Sequence, residues 1–420
     1  MGKTAVVIGG SIGGLMHGIM LKSYGYDVTI LEKELSLSRE GFESGIKIGK
    51  DITNFLKKHD RTNSAYGVET THNYRMFDQD GKAKLQSKQS ATTTNWGYLL
   101  HILRANFDGT VSKAVPRLSE APDTDGKGEF KNGARVTDIK DLGNKVLVQY
   151  EDTIRGASDS ISADLVIAAD GTNSFVRNVL MPDVKRQYAG YLCWRGVTQE
   201  KLIDDEWNQK YSGKITFQFM KRHYLISYTI PTDDGELEPG KRLHNWVWYN
   251  SVPEDSQELS DIMTDENGVL HSGTVPRGLV RQKLWDKQQT RAVAETPPGI
   301  ASIVRNCERP FITKIYDVVS PKAVFFGEKL FLVGDAMGPL RPNGGMGTNQ
   351  VAYHCNLFEQ VIEGKMTPKV WEKAVLRYGD AQRQFSVMMS SYGMGGTLSV
   401  MWNICKWLLL LLRQRLGLAR

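Results

Sequence analysis

An α/β fold is predicted: a parallel, dinucleotide-binding layer, interrupted by a β-rich insertion and followed by a helical tail. Three observations carry this. A short apolar run, Thr4–Ile8, leads into glycines and then a helical pattern over Leu15–Tyr24. Two further apolar runs, Asp164–Ala169 and Phe331–Val333, each lead into an Asp–Gly or Gly–Asp corner. Between about Tyr188 and Val252 the text changes to short alternating segments. Continuous apolar runs fit buried parallel strands, and alternation fits antiparallel strands with two different faces.

Taken in order, Thr4–Ile8, the glycine turn, the helix and a second strand at Asp27–Leu31 make a β-loop-α-β unit. Asp51–His59 and Trp96–Phe107 read as helices, and Arg135–Glu151 as a hairpin turning at Gly143-Asn144. YLCWRGV, KITFQFM, HYLISYTI and NWVWYNSV read as antiparallel strands, with Trp246, Trp248 and Asn250 on one face and Val247 and Tyr249 on the other. A helix is expected over Val280–Ala292, and helical text runs from near Gly347 to Asp380. The division that follows is 1–185 and 306–380 for the two parts of the dinucleotide layer, 186–305 for the insertion and 381–420 for the tail.

The 420 residues hold two or three domains at ~150 residues each. With 40% apolar and 24% charged residues the chain is an ordinary globular one. Five bases (Arg383, Lys406, Arg413, Arg415, Arg420) and no acids follow residue 380, so the preceding 48 bases face 47 acids. That near-neutral body argues against a nucleic-acid partner and marks a basic tail. The four cysteines form no C-x-x-C pair and the eight histidines no H-x-x-x-H pair, so neither a disulfide framework nor a metal site is expected. Ala5–Ile8 is too short for a secretory h-region, which makes a cytoplasmic location the default.

The chemistry-bearing stretches begin with Gly9-Gly10-Ser11-Ile12-Gly13-Gly14, a G-x-G-x-x-G pattern with Ser11 at the second glycine. Such a turn points backbone N–H groups and a positive helix end at a pyrophosphate. Eighteen residues beyond Gly14, Glu32 ends the second strand, where a carboxylate can hold ribose hydroxyls. DLVIAADGTNSFVR brings Asp170 to a strand's carboxyl end, and FLVGDAMGPLRPNGGMGTN brings Asp335 to another, ahead of a helix opening near Gly347. A helix N-terminus there favours negative charge. The same first turn also reads G-x-S-x-G, the nucleophile elbow of α/β-hydrolases, with Ser11, Asp335 and His354 in triad order. Only eight residues precede Gly9, too few for the oxyanion-hole loop of that fold.

The three corners, with IGGSIGGL, WGYLLHILRANF, YLCWRG, NWVWYN and GDAMGPLRPNGGMGTNQ, resemble the FAD-dependent monooxygenases of the aromatic-hydroxylase type (group A), in the branch of 2,6-dihydroxypyridine 3-monooxygenase. Fungal natural-product hydroxylases and epoxidases share much of the pattern. The resemblance implies a Rossmann-like FAD-binding domain of the glutathione-reductase type, an inserted antiparallel sheet over the flavin, and a place in secondary metabolism. It implies that Gly9, Ser11, Ile12, Gly14, Glu32 and Lys33 hold the ADP end of FAD. Gly45, in ESGIKIG, and Arg104 would meet the flavin. Asp170, Asp335, Pro342, Gly345 and Gly347 would complete the cofactor site. This chain departs from the family where Met337-Gly338 replaces Ala-His, and where Trp96 stands in place of a common arginine.

The resemblance further implies that NAD(P)H visits transiently and reduces the flavin. A flavin C4a-hydroperoxide then hydroxylates or epoxidises an aromatic, heteroaromatic or prenylated small molecule. For Arg195, the readings are a donor to a substrate oxyanion or a surface ion pair. For Tyr224, they are a hydrogen bond to a substrate oxygen or a packed aromatic. His223 should face away from Tyr224. Trp194, Trp246 and Trp248 read as core, with a pocket wall as the other option. Leu398–Leu412 is apolar but shorter than the ~20 residues that span a bilayer. It is either an interfacial helix touching membrane or a helix docked on the body or a second copy. A flavin reductase or oxidase on the same fold is the competing activity.

Overall fold

The computed structural model describes residues 2–35, 44–70, 75–77, 83–86 and 90–418. Glu43 of ESGIKIG and the tail base Arg420 lie outside them. The dinucleotide layer is a six-stranded sheet in the order 324–325, 330–332, 165–168, 4–8, 27–31, 128–131. All neighbours are parallel except the first pair, which is an antiparallel hairpin. Its central strands, TAVVI, LVIA and LFL, are almost wholly buried, as their unbroken apolar text requires. Helix Ile12–Ser23 packs against helices Trp96–Asp108 and Gly347–Ile362. Local chemistry sets the ends of helix Trp96–Asp108: the Asn95 side chain accepts from Gly97 N–H at 3.0 Å, and Gly109 closes it at φ 74°.

The insertion forms the larger part of an eight-stranded sheet, ordered 274–275, 311–317, 187–199, 243–251, 223–230, 215–220, 75–77, 83–86. Strand 75–77 pairs parallel to 215–220, so the sheet recruits segments from outside 186–305. The expected alternation holds, and each face builds its own core. Trp194, Trp246 and Trp248 join Trp285 of helix Gln282–Glu295 on one side. Tyr191, Cys193, Phe217, Tyr224 and Tyr249 lie on the other. The hairpin turning at Gly143 is present and gains a third strand, Ala157–Ala163. The polar stretch before residue 305 carries two helices that its weak periodicity did not announce, Gln257–Met263 and Pro298–Arg305. The helical text expected to stop at Asp380 continues to Met394, and a second helix, Thr397–Arg415, packs back on it.

Candidate active site

Strand order brings the three corners together. Strands 4–8, 165–168 and 330–332 are neighbours, in register Ile8 to Ala168 to Leu332. Their carboxyl ends deliver Gly9, Asp170 and Asp335 to one rim. Strand 27–31 adds Glu32 on the far side. At ~4.8 Å per strand the rim from Leu332 to Leu31 is about 14 Å, a span suited to an extended dinucleotide.

The first corner is a cradle that tolerates no side chain. Gly9 sits at φ 102°, and a Cβ there would lie 2.5 Å from Ala169 O. A Cβ on Gly14 would lie 1.8 Å from Gly9 O. Gly13 admits Val351 of helix Gly347–Ile362, whose Cγ2 is 2.7 Å from where a Cβ would be. Ser11 is the N-cap of helix Ile12–Ser23, yet its hydroxyl makes no capping bond, and the first-turn amides have no intrahelical acceptor. Glu32 accepts from Gly10 N–H at 2.7 Å and Glu34 N–H at 3.0 Å. This places the carboxylate at the carboxyl end of strand 27–31, where ribose hydroxyls are held in dinucleotide sites. Lys33 is exposed beside it.

Arg104 lies behind this turn rather than at the third corner. Its guanidinium pairs with Asp108 at 2.6 Å and stacks over Phe130, 3.8 Å from the ring centroid. Phe130 in turn fills the space that a Cβ on Gly10 would need. Asp170 turns onto its own loop. Its carboxylate accepts from Ser174 Oγ at 2.6 Å and Val176 N–H at 3.1 Å, capping helix Phe175–Leu180. Arg177, seven residues on, is the tie between corners. It is buried and donates to the carbonyls of Thr172 (2.7 Å) and Ala336 (2.9 Å).

A cavity of about 480 Å³ opens between the third corner and the eight-stranded sheet. Asp335, Pro342, Gly345 and Gly347 line one side, with Ser44, Gly45 and Trp96. Ile215, Phe217, Ile226 and Val247 make an apolar wall opposite. Burial pushes the Asp335 carboxyl up to about 6 against the lowering effect of Arg177. Helix Gly347–Ile362 aims its N-terminus into this space.

Two polar side chains interrupt the apolar wall. Arg195 lines the cavity, donates to Ser44 Oγ and carries its Cζ 5.1 Å from the Phe311 ring centroid. Its Nε is buried with no partner among the described residues. Tyr228 is the second. Burial pushes its phenol up to about 12, with Arg195 acting the other way, and its ring occupies the space left by Gly45.

Tyr224, open in the sequence to a substrate hydrogen bond or to aromatic packing, does not reach the cavity. It is fully buried, its hydroxyl accepts from Asn343 Nδ2, and Tyr191 donates to Asn343 Oδ1 at 2.7 Å. The packed-aromatic alternative describes it, and its effect is to fix Asn343, which lines the cavity beside Pro342. His223 faces the opposite side of the sheet, as alternation requires, where it accepts from Trp248 Nε1 at 2.9 Å and meets Glu295 at 2.7 Å. The three tryptophans are core. Trp285 stacks on Trp194 and Trp246 at 6.2 and 6.0 Å. Tyr228 could have been found in HYLISYTI, because it shares a face with Tyr224; alternation gives the face of a strand but not the depth along it.

The hydrolase reading fails on geometry. His354 is fully buried, burial lowers it to about 3, and its Nδ1 accepts from Gly334 N–H at 3.1 Å rather than bonding Ser11. The residues present do fit FAD. A glycine turn with an uncommitted serine hydroxyl, a ribose-side carboxylate and a second carboxylate under a helix N-terminus follow one another along a single rim.

A family profile described as "FAD binding domain-like" matches residues 188–317. The chain is 24% identical to 2,6-dihydroxypyridine 3-monooxygenase of Paenarthrobacter nicotinovorans over 382 residues, 89% of this chain and 87% of that one. It is 24% identical to the chloroplastic zeaxanthin epoxidase of Spinacia oleracea, over 88% of this chain and 48% of that longer protein. In structure it is similar to 2,6-dihydroxypyridine-3-hydroxylase from Arthrobacter nicotinovorans, with a TM-score of 0.78, 22% identity and 94% of both chains covered. Klebsiella pneumoniae HpxO, crystallised with FAD and uric acid, gives a TM-score of 0.65 at 17% identity, covering 99% of this chain and 95% of that one.

Proposed function

We propose, on the premise that this chain is an FAD-dependent monooxygenase of the aromatic-hydroxylase type, that it uses NAD(P)H and O2 to add one oxygen atom to a small aromatic or heteroaromatic ring bearing an acidic hydroxyl. Bound FAD supplies the redox chemistry, taking reducing equivalents from NAD(P)H and activating oxygen. The chain's own residues bind, orient and exclude water. Gly9, Ser11, Ile12 and Gly14 take the pyrophosphate, Glu32 and Lys33 the adenosine ribose, and Arg104 and Asp170 shape the loops behind them. Asp335, Pro342, Gly345, Gly347 and Gly45 hold the flavin end. A single dinucleotide turn supports a transient NAD(P)H visit. This reading fits the cytoplasm, which supplies NAD(P)H.

The observation that carries the substrate class is the pairing of Arg195 and Tyr228 on an otherwise apolar wall. Arg195 favours a ring hydroxyl in its ionised form, which makes the ring electron-rich for attack. Tyr228, neutral at working pH because burial raises it, donates a hydrogen bond to the same oxygen. The Ile215–Phe217–Ile226–Val247 surface takes the ring face and keeps water out.

The test is a panel of hydroxylated rings, indoles and prenyl alkenes, scored by stimulated NAD(P)H oxidation and product mass. A hydroxy-aromatic substrate should gain one oxygen, and Arg195→Ala or Tyr228→Phe should each lower kcat/KM roughly tenfold or more, a charged or desolvated hydrogen bond being worth ~1.5–3 kcal/mol. Turnover confined to neutral alkenes and indifferent to Arg195→Ala would overturn the substrate class. Hydrogen peroxide as the only oxygen product would favour an oxidase instead.

A further inference from the structure

Helix Thr397–Arg415 packs on helix Pro368–Met394 through one narrow side. Buried Asn403 donates to Ser391 Oγ at 2.8 Å, Gln414 Nε2 donates to Arg377 O at 3.0 Å, and Trp407 meets Phe385 at 5.6 Å between ring centroids. The opposite side is apolar and uncovered. Leu398, Met401, Trp402, Leu408, Leu409 and Leu412 are each more than half exposed, and with exposed Cys405 filling the turn between Trp402 and Leu408 they line one side of the helix. Scattered exposed leucines need no explanation, but a continuous helical stripe of this kind does.

We propose that this face seats the protein on an anionic lipid surface. Charge selects the occupant. Lys406, Arg413 and Arg415 flank the stripe, and no acidic residue occurs anywhere after Asp380. A second copy meeting this face would set bases against bases with no carboxylate to answer them, whereas anionic headgroups supply the missing charge. The helix lies along the surface: among the described residues no helix is long and apolar enough to cross a membrane. An apolar face with basic residues beside it and a tryptophan within it is the pattern that lodges at the headgroup boundary.

The position of the helix gives the contact a purpose. Phe385, which Trp407 touches, lines the cavity with Met389. Packed helices sit ~8–10 Å apart, so the cavity wall is about one helix away from the lipid. A sparingly soluble aromatic substrate or product would exchange with the bilayer near the cavity. This last point rests on the proposed function; the lipid contact does not.

The test uses full-length protein, sedimented with vesicles of phosphatidylcholine alone or with added phosphatidylserine. Wild type is expected to pellet with the phosphatidylserine vesicles, and less so as salt rises. Arg413→Gln and Arg415→Gln should each weaken partition roughly fivefold. Leu408→Glu/Leu412→Glu should abolish it while FAD absorbance and Tm stay at wild-type values. Wild type left in the supernatant, or leucine variants that pellet unchanged, would overturn the proposal. So would a dimer in analytical ultracentrifugation that the leucine variants split without any vesicle binding. Vesicle binding is read without turnover, so its loss is separate from a failure of the monooxygenase reading.

Discussion

Asp335 shows how one side chain couples cofactor to pH. Its folded value of about 6 lies above the ordinary ~3.9 of an unfolded aspartate because burial disfavours the charge. A raised carboxyl binds its proton more tightly in the folded state. The apoprotein therefore has this group's contribution in full below about pH 4 and loses it as pH rises through about 6, an upper bound of ~2–3 kcal/mol. A hydroxyl donating from the cofactor bonds the ionised carboxylate more strongly than the protonated acid, so FAD retention should weaken as pH falls through about 6. Asp335→Asn is expected to purify colourless and to flatten the pH dependence of the apoprotein's melting temperature. Full flavin content in that variant would remove Asp335 from the site. The neighbouring contrast is instructive: Asp170 shows the same acid-and-glycine text, yet its carboxylate caps a helix. Text of that kind marks a corner and does not say where the side chain turns.

Among the elements, the helix crossing at Gly13 is the most exposed to a small change. Val351 sits against both Gly13 and Gly334, so one methyl on helix Ile12–Ser23 pushes helix Gly347–Ile362 away from two corners at once. Gly13→Ala should lower stability by ~1–3 kcal/mol and weaken FAD binding, and Gly13→Ala/Val351→Ala should recover most of the loss. Melting curves and flavin titration would check this, and a double variant no better than the single would contradict it. The β-loop-α-β opening, the strand faces and the three corners were legible because each is written in local periodicity and glycine spacing. The pairing of 75–77 beside 215–220, the role of Arg177 and the bond from Asn343 that fixes Tyr224 were not. Each depends on partners more than a hundred residues away, such as Asn343 for Tyr224 and Ala336 for Arg177.

At the level of the whole molecule, the eight-stranded sheet separates stability from chemistry. Its tryptophan side packs a core against helix Gln282–Glu295, and its tyrosine side faces the flavin-end cavity. Trp285→Ala, which empties the centre of the Trp194–Trp285–Trp246 stack, should cost ~3–5 kcal/mol and lower Tm while leaving the flavin spectrum of the folded protein unchanged. A shifted flavin spectrum in that variant would show that the two faces are coupled. The wall of Ile215, Phe217, Ile226 and Val247 hangs from this sheet, while the glycine corners hang from the other. Four interchangeable side chains can thus drift in size and shape without disturbing the scaffold that grips the dinucleotide. A lineage carrying this architecture can change its diet one side chain at a time, and an engineer can do the same.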